Sequence, residues 1–240
     1  MHLVIDIGNT VAKLVAFSGD EPVEESITDN RTLAGLPKFA SRYEFSRGIY
    51  SSVVELSPDG FDKIKSLPVP MMQLRGDTPV PLEVCYHTPR TLGADRLAAA
   101  VGAATLMPGK NLLVIDAGTC LTYEIVTADG RYLGGNISPG LQMRLHALHE
   151  HTSRLPIVDA VGETPLVGID THTAIRSGVI RGMQYEIEGY IRLFGEKYAS
   201  LCTFLTGGDL FDFDNRIKSI IFADKFLVPR GLNRILEYNQ

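Results

Sequence analysis

Two stretches of the chain share one pattern of apolar and polar positions, and this pattern predicts strands joined by tight turns. Residues 2–7 are mostly apolar and β-branched, a turn follows at Gly8, and residues 11–17 resume the strand pattern. Residues 112–119 repeat this plan, because an apolar run again ends in Asp-x-Gly and a hydroxyl residue, and a second strand follows over 121–127. Apolar runs on both sides of a glycine turn predict β-hairpins.

The two stretches begin nearly half a chain apart, which is the spacing that a duplicated domain produces. We therefore predict an N-terminal domain over residues 1–111 and a C-terminal domain over residues 112–240. Each domain carries one of the two turns.

The remaining pattern predicts strands followed by helices, as in an α/β protein. Prolines between residues 20 and 90 indicate short elements and loops, and the alanine- and leucine-rich residues 91–107 predict a helix that ends at Pro108 and Gly109. The second half predicts these further elements: a strand near 132–137, helices near 140–154 and 171–198, strands at 201–205 and within 217–228, and a helix at 232–238.

Composition and charge exclude several classes of function. Of the 240 residues, 45% are apolar, which is ample for a buried core, and the formal net charge of −5 offers no basic field for a nucleic-acid backbone. The three cysteines are far apart and form no CxxC pair, which favours reduced thiols. The first residues do not resemble a signal peptide, and no apolar run reaches the roughly 18 residues of a membrane span. We expect a cytoplasmic protein with no nucleic-acid or membrane partner.

The first turn carries residue types that suit a nucleotide phosphate. Glycine at position 8 lets the backbone approach a ligand closely, Asn9 and Thr10 add neutral donors, and Lys13 offers a point charge for a phosphate oxygen. Asp6 would repel a bare phosphate, but its carboxylate suits a hydrated Mg²⁺ that bridges to one. The alternative is a plain hairpin turn, because turns favour these residue types.

The second turn favours the phosphate interpretation. Asp116, Ala117, Gly118 and Thr119 again place a carboxylate ahead of a small turn. Two such turns that face each other could hold a triphosphate with cations between them.

Together with three further motifs, the turns make the chain resemble the type III pantothenate kinases of the actin-like ATPase superfamily. The motifs are Tyr86 with Gly93-Ala94-Asp95-Arg96, then Gly134-Gly135-Asn136-Ile137-Ser138-Pro139-Gly140, then Asp170-Thr171 leading into Ala174-Ile175-Arg176-Ser177-Gly178. The resemblance spans almost the whole chain. It implies duplicated actin-like domains of the ribonuclease H-like type, each a mixed sheet flanked by helices, with a cleft between them.

The resemblance also implies an activity, which is ATP-dependent phosphorylation of pantothenate in the first step of coenzyme A biosynthesis. Asp95 would be the catalytic base. The implied pantothenate-binding residues are Tyr86, Gly93, Ala94, Asp95, Arg96 and Thr171. The implied ATP-binding residues are Asp6, Ile7, Gly8, Asn9, Thr10, Val11, Ala12, Lys13, Thr119, Gly207 and Gly208.

Cations and a second copy of the chain are part of the same resemblance. It implies that Asp116 binds a monovalent cation (K⁺ or NH₄⁺), that Mg²⁺ accompanies ATP and meets Asp6 through water, and that the protein is a homodimer. The position of the substrate threonine is open between Thr171 and Thr173, with Thr171 favoured by register.

The chemistry of Asp95 and Arg96 is consistent with these roles. Phosphoryl transfer to an alcohol needs a carboxylate that accepts the hydroxyl proton, and an arginine fork suits the carboxylate of pantothenate. The alternative is a solvated pair on an exposed helix face. By contrast, His146, His149 and His151 lack the HExxH pattern of a zinc site and are expected to be a solvated or interface face.

Two other functions fit the same scaffold. An actin-like ATPase would hydrolyse ATP without an acceptor, and a regulator would have lost catalysis. The presence of Asp6, Asp95, Arg96 and Asp116 favours an active kinase.

Overall fold

The computed structural model describes residues 1–208 and 221–240, and they form two compact units. The first unit contains Met1–Lys110, Ile125–Gly134 and Phe226–Gln240, and the second contains Asn111–Glu124 and Gly135–Lys225. These units are defined by contacts in space, so the predicted division into duplicated domains over residues 1–111 and 112–240 stays a prediction.

Strands and helices follow each other along the chain much as the apolar pattern predicts. The strands are β1 (His2–Ile7), β2 (Ala12–Ser18), β3 (Glu21–Thr28), β4 (Arg47–Ser52), β5 (Met71–Gln73), β6 (Glu83–Val84), β7 (Leu112–Ala117), β8 (Cys120–Val126), β9 (Arg131–Pro139), β10 (Cys202–Thr206) and β11 (Ile221–Ala223). The helices are α1 (Leu36–Ala40), α2 (Pro58–Lys65), α3 (Ala94–Leu106), α4 (Leu141–Glu150), α5 (Thr171–Lys197) and α6 (Leu227–Tyr238).

The first unit is built on a five-stranded mixed sheet with the order β3-β2-β1-β4-β5. Strand β1 pairs antiparallel with β2, as the hairpin pattern predicts, and parallel with β4. Leu3, Val4 and Ile5 of this central strand are fully buried. The carboxyl end of β1 therefore lies at the middle of one sheet edge, where the first turn begins.

A second sheet has six strands in the order β11-β10-β7-β8-β9-β6. Strand β10 pairs parallel with both β7 and β11, so that the carboxyl end of β7 lies beside that of β10. The predicted hairpin of β7 and β8 is present, with a two-residue connection at Gly118 and Thr119.

Helices α3 and α6 of the first unit pack with their backbones in close approach. A Cβ atom built at Gly231 of α6 would lie 1.8 Å from the carbonyl oxygen of Ala98, and one at Gly102 of α3 would lie 2.2 Å from that of Leu227. Small residues at such a crossing let two helices approach more closely than side chains permit.

The strand predicted within residues 217–228 is present as β11, which covers Ile221–Ala223, and residues 217–220 lie outside the described part of the chain. The helix predicted at 232–238 is α6, which begins earlier, at Leu227. Leu227, Leu232 and Ile235 are fully buried and spaced like one helix face, and a proline at position 229 is tolerated in a first turn.

None of the helices in the described residues is both long and apolar enough to cross a bilayer.

Candidate active site

The strand register places two polar residues beside Asp6 at the end of β1. Asp6 lies opposite Lys13 on the antiparallel neighbour and opposite Ser51 on the parallel neighbour. Directly opposed residues project from the same face of a sheet. The Ser51 hydroxyl donates a hydrogen bond of 3.1 Å to Asp6 Oδ1. The carboxylate is therefore held in place by Ser51, a residue that is distant in sequence.

The surroundings of Asp6 disfavour the negative charge of its own carboxylate. Burial raises the pKa of the Asp6 carboxyl above its ordinary value, and the Asp95 carboxylate adds to this rise, whereas Lys13 and the Ser51 hydroxyl oppose it. Asp6 and Asp95 are thus close enough to repel each other, although they are far apart in the sequence. Carboxylate oxygens are hard ligands of the kind that Mg²⁺ prefers, and a bound cation would reduce the repulsion between two neighbouring carboxylates.

The first turn is tied back on itself and to a neighbouring corner of the chain. The Gly8 N–H donates to the carbonyl oxygen of Val11 at 3.0 Å. The side-chain amide of Asn30, which follows β3, donates to the carbonyl oxygens of Gly8 and Asn9 at 3.0 and 2.7 Å. Sequence reasoning missed Asn30, because nothing in the local pattern links it to a turn more than 20 positions earlier.

Asp95 lies in the first turn of α3, where a negative charge is favoured by the helix dipole. Its Oδ1 accepts a hydrogen bond of 2.8 Å from the backbone N–H of Arg96. Gly93 is the N-cap, and Ala94 is the first residue of the helix. The motif therefore directs a carboxylate outward from a helix start in the same unit as Asp6.

Arg96 is only 7% exposed, which contradicts the alternative of a solvated pair on an exposed helix face. Its guanidinium carbon lies 5.8 Å from the ring centre of Tyr86, within the range of a cation–π contact. Tyr86 also contacts Tyr132, with ring centres 6.4 Å apart. The structure thus brings Tyr86 and Arg96 together within the first unit.

The second turn is built in the second unit by three converging segments. Asp116 is paired in register with Thr206 of β10, and the backbone then passes through Gly207 with a φ of +106°. A Cβ atom at position 207 would lie 2.2 Å from the carbonyl oxygen of Ala117 and 2.6 Å from Asp116 Oδ1, so only glycine fits there. The N–H of Gly140 donates to the carbonyl oxygen of Thr119 at 3.2 Å.

The Asp116 carboxylate and the carbonyl oxygen of Ala117 therefore lie on the same side of Gly207. Hard oxygen atoms of this kind are suitable ligands for a monovalent or divalent cation. Gly207 and Gly208 follow β10 directly, so the glycine pair expected at the nucleotide lies at the same strand edge as Asp116.

Thr171 and Thr173 have different environments at the start of α5. The Asp170 side chain accepts from the backbone N–H of Thr173, and that N–H lowers the pKa of Asp170. The Thr173 hydroxyl completes a capping box by accepting from the Asp170 N–H at 3.2 Å. Thr171 is exposed, and no described residue is a hydrogen-bond partner of its hydroxyl.

A partly buried network, also missed from the sequence, supports Ser138 and Pro139 at the end of β9. Arg144 of α4 donates to the Ser138 hydroxyl at 2.8 Å and to the Pro139 carbonyl oxygen at 2.7 Å. The same guanidinium pairs with Glu186, which accepts from the Tyr123 hydroxyl at 3.0 Å. Burial, and then the Glu186 charge, raise the pKa of Tyr123.

The three histidines in or just after α4 are exposed, and they are His146, His149 and His151. No group of three or more potential metal ligands among His, Cys, Asp and Glu occurs in residues 1–208 and 221–240. His149 instead contacts the carbonyl oxygen of Leu155 at 2.7 Å.

Two solved structures show the fold. A candidate transcriptional activator of the Baf family from Campylobacter jejuni is 23% identical, with a TM-score of 0.63 and coverage of 99% of this chain and 98% of that one. A ROK family glucokinase from Streptomyces griseus, solved with glucose and AMPPNP, is 11% identical, with a TM-score of 0.50 and coverage of 98% of each chain. The expected α/β fold of actin-like ATPases is confirmed.

Sequence comparison identifies the family within this fold. The chain matches the type III pantothenate kinase family over residues 2–193. The type III pantothenate kinase of Phocaeicola vulgatus is 54% identical over 239 residues, which are 100% of this chain and 99% of that protein. The motifs described above and this full-length identity agree, and the chain belongs to the type III pantothenate kinase family.

Proposed function

We propose that this protein transfers the γ-phosphoryl group of ATP to the 4′-hydroxyl of pantothenate, the first step of coenzyme A biosynthesis. One observation carries the proposal beyond family membership. Within the first unit, the Asp95 carboxylate is near enough to affect the charge of Asp6, which precedes the first turn, and the adjacent Arg96 is buried against Tyr86. A kinase for a carboxylate-bearing alcohol needs these three groups: a phosphate site, a base and an anion anchor.

The acceptor half of the reaction is assigned to α3 and Tyr86. Asp95 accepts the proton of the pantothenate hydroxyl as the new O–P bond forms, and the bond to the β-phosphate oxygen of ATP breaks, which releases ADP. Arg96 pairs with the pantothenate carboxylate, and the ring of Tyr86 restricts the orientation of its guanidinium. The backbone groups of Gly93 and Ala94, at the start of α3, are assigned to contacts with pantothenate.

The donor half is assigned to both turns. Residues 6–13 hold phosphate oxygens through backbone N–H groups and Lys13, and the family resemblance assigns Thr119, Gly207 and Gly208 to the nucleotide as well. The register of Lys13 beside Asp6 supports this assignment.

Cations fit the oxygen ligands of both turns. When bound, Mg²⁺ neutralises phosphate charge, and Asp6 would hold it through water, while Asp116 would hold K⁺ or NH₄⁺. Burial, and then the nearby Asp95 charge, raise the pKa of Asp6, and this supports a cation requirement at the first turn. The protein's own residues orient the reactants and accept the proton.

A coupled assay tests the function. Purified protein with ATP, Mg²⁺ and K⁺ should form ADP only after pantothenate is added, with phosphopantothenate identified by mass spectrometry. An analogue of pantothenate without the 4′-hydroxyl is the control and should give no ADP. Equal ADP formation without pantothenate would indicate an acceptor-independent ATPase, and no ADP under any condition would indicate a silent regulator.

We also infer that the active protein is a cytoplasmic homodimer. One irregular segment, residues 155–169, exposes five large apolar side chains, and these are Ile157, Val161, Leu166, Val167 and Ile169. Val161 and Ile169 are 87% and 88% exposed, although Arg176 and Arg181 of α5 bind the segment's carbonyl oxygens. An ordered segment with this much exposed apolar surface supports a protein interface, and a second copy is its proposed occupant.

The segment leads directly into Asp170 and Thr171. Because the Thr173 hydroxyl is engaged in the helix cap, the contacts favour Thr171 as the residue that meets pantothenate. We propose that the dimer interface and this substrate contact are adjacent.

Substituting Leu166 and Val167 together by glutamate should convert the dimer into a monomer at micromolar concentration, because burying two carboxylates in an apolar interface is costly. Sedimentation velocity measures the change, and the KM for pantothenate should rise with it. Ile27→Glu is the control, since Ile27 is 62% exposed on β3 of the first unit. A double variant that sediments like wild type contradicts the proposed interface.

A further inference from the structure

One side chain, that of Asn30, binds two carbonyl oxygens of the first turn. The Asn30 side chain donates to the carbonyl oxygens of both Gly8 and Asn9, at 3.0 and 2.7 Å. Both contacted atoms are acceptors, so the NH₂ group of the Asn30 amide must face them rather than its oxygen. One side chain therefore orients two consecutive peptide planes.

This arrangement has a direct stereochemical consequence. In a planar trans peptide, the C=O of one residue and the N–H of the next point in opposite directions. When Asn30 holds the carbonyls of Gly8 and Asn9, the N–H groups of Asn9 and Thr10 are turned away from it. Among residues 1–208 and 221–240, no acceptor binds either N–H group. Successive N–H groups of a turn that have no protein acceptor are groups that can bind an anion.

The corner that carries Asn30 is itself rigidly built. The Asp29 carboxylate accepts hydrogen bonds from the backbone N–H groups of Thr32 and Ala34, at 2.6 and 2.9 Å. These bonds hold the pKa of Asp29 well below its ordinary range, the Ala34 N–H contributing most. The Thr28 hydroxyl accepts from the N–H of Gly35 at 2.9 Å. Asn30 thus projects from a fixed loop rather than from a free one.

A cavity of about 580 Å³ lies beside this turn within the first unit. Its lining includes Asn9 and Thr10 of the turn and Asn30 and Arg31 of the corner. The space next to the two residues whose N–H groups are unused is therefore open rather than filled by protein.

We propose that Asn30 is a positioning residue for ATP, which turns the N–H groups of Asn9 and Thr10 towards the phosphates by holding the two preceding carbonyl oxygens. This inference rests on the proposed nucleotide role of the first turn. Asn30 does not touch the reacting atoms, so its effect should fall on nucleotide affinity rather than on the chemical step. Free carbonyls in its absence could rotate towards the phosphates and repel them.

Asn30→Asp and Asn30→Ala test the proposal. Aspartate has nearly the same shape but cannot donate, so both variants lose two hydrogen bonds, and we expect the KM for ATP to rise roughly tenfold in each. The KM for pantothenate should stay at the wild-type value. Isothermal titration with AMPPNP should show the same loss of affinity without any turnover, and circular dichroism melting confirms that the variants are folded.

Asn239→Ala is the matched control, because the Asn239 amide also donates to two carbonyl oxygens, those of Pro79 and Ile235, at 2.9 and 2.8 Å. This variant should bind AMPPNP like wild type. The proposal is overturned if both Asn30 variants keep wild-type affinity, or if Asn239→Ala weakens nucleotide binding equally. A wild-type protein that binds AMPPNP but does not phosphorylate pantothenate fails only the proposed function, whereas one that binds no nucleotide overturns both.

Discussion

Replacing Asp95 by asparagine is expected to lower kcat for pantothenate phosphorylation by about 10²–10⁴-fold, the usual range for losing a general base. Asparagine keeps an oxygen that can accept from the Arg96 N–H, so the start of α3 should persist. The amide cannot take up the hydroxyl proton. Because it also removes a charge that repels Asp6, AMPPNP affinity should stay the same or rise slightly. Steady-state kinetics and calorimetry measure the two effects separately.

Asp59→Asn is the control for this experiment. Asp59 is likewise an acidic residue in the first turn of a helix of the first unit, and it pairs with Lys63 at 2.7 Å on the surface. Losing such an exposed pair costs little stability, so the variant should keep wild-type kcat. Retention of more than a tenth of kcat in Asp95→Asn would remove Asp95 from the role of base.

Gly231→Ala is expected to destabilise the first unit by about 2 kcal/mol, which is the balance of two opposing effects. Alanine favours a helix over glycine by up to ~1 kcal/mol. Overpacking a filled contact costs about 1–3 kcal/mol, and the upper end applies here because the new Cβ would meet the backbone oxygen of Ala98 at 1.8 Å. Helices α3 and α6 would have to separate, and α3 carries Asp95 and Arg96.

Gly189→Ala provides the opposite case within α5. A Cβ atom at position 189 would meet nothing within 4 Å, so only the helix-propensity gain remains, and stability should rise by up to ~1 kcal/mol. Urea unfolding followed by circular dichroism compares the two variants. Equal shifts of the same sign would show that the α3–α6 contact does not limit stability.

Local chemistry made much of this protein predictable. The hairpins at β1–β2 and β7–β8 follow from apolar runs around a glycine turn, and both are present. The helix predicted over residues 91–107 is α3, which begins at Ala94, and it carries the motif residues Asp95 and Arg96 at its start. These features depend on neighbours within a few residues, which is the range that sequence periodicity reports.

The burial of Arg96 was open from the sequence. From the sequence, Arg96 could have been a solvated residue on an exposed helix face. The structure shows that it is buried in α3 and contacts Tyr86. The start of α6 at Leu227, before the predicted Leu232, was open for the same reason, since apolar density alone does not distinguish a short strand from the first turn of a buried helix.

The amino-acid sequence by itself determined the two Asp-x-Gly turns, the helix start at Asp95 and the family. The turns and the helix start are encoded in contiguous residues, and the family is encoded in short motifs that follow each other in order along the chain. Only the tertiary structure decided that Ser51 flanks Asp6, that Asn30 orients the first turn, and that α3 and α6 meet at glycines. Those contacts join residues that are far apart in the chain, and their geometry follows from strand register and helix packing rather than from any local pattern.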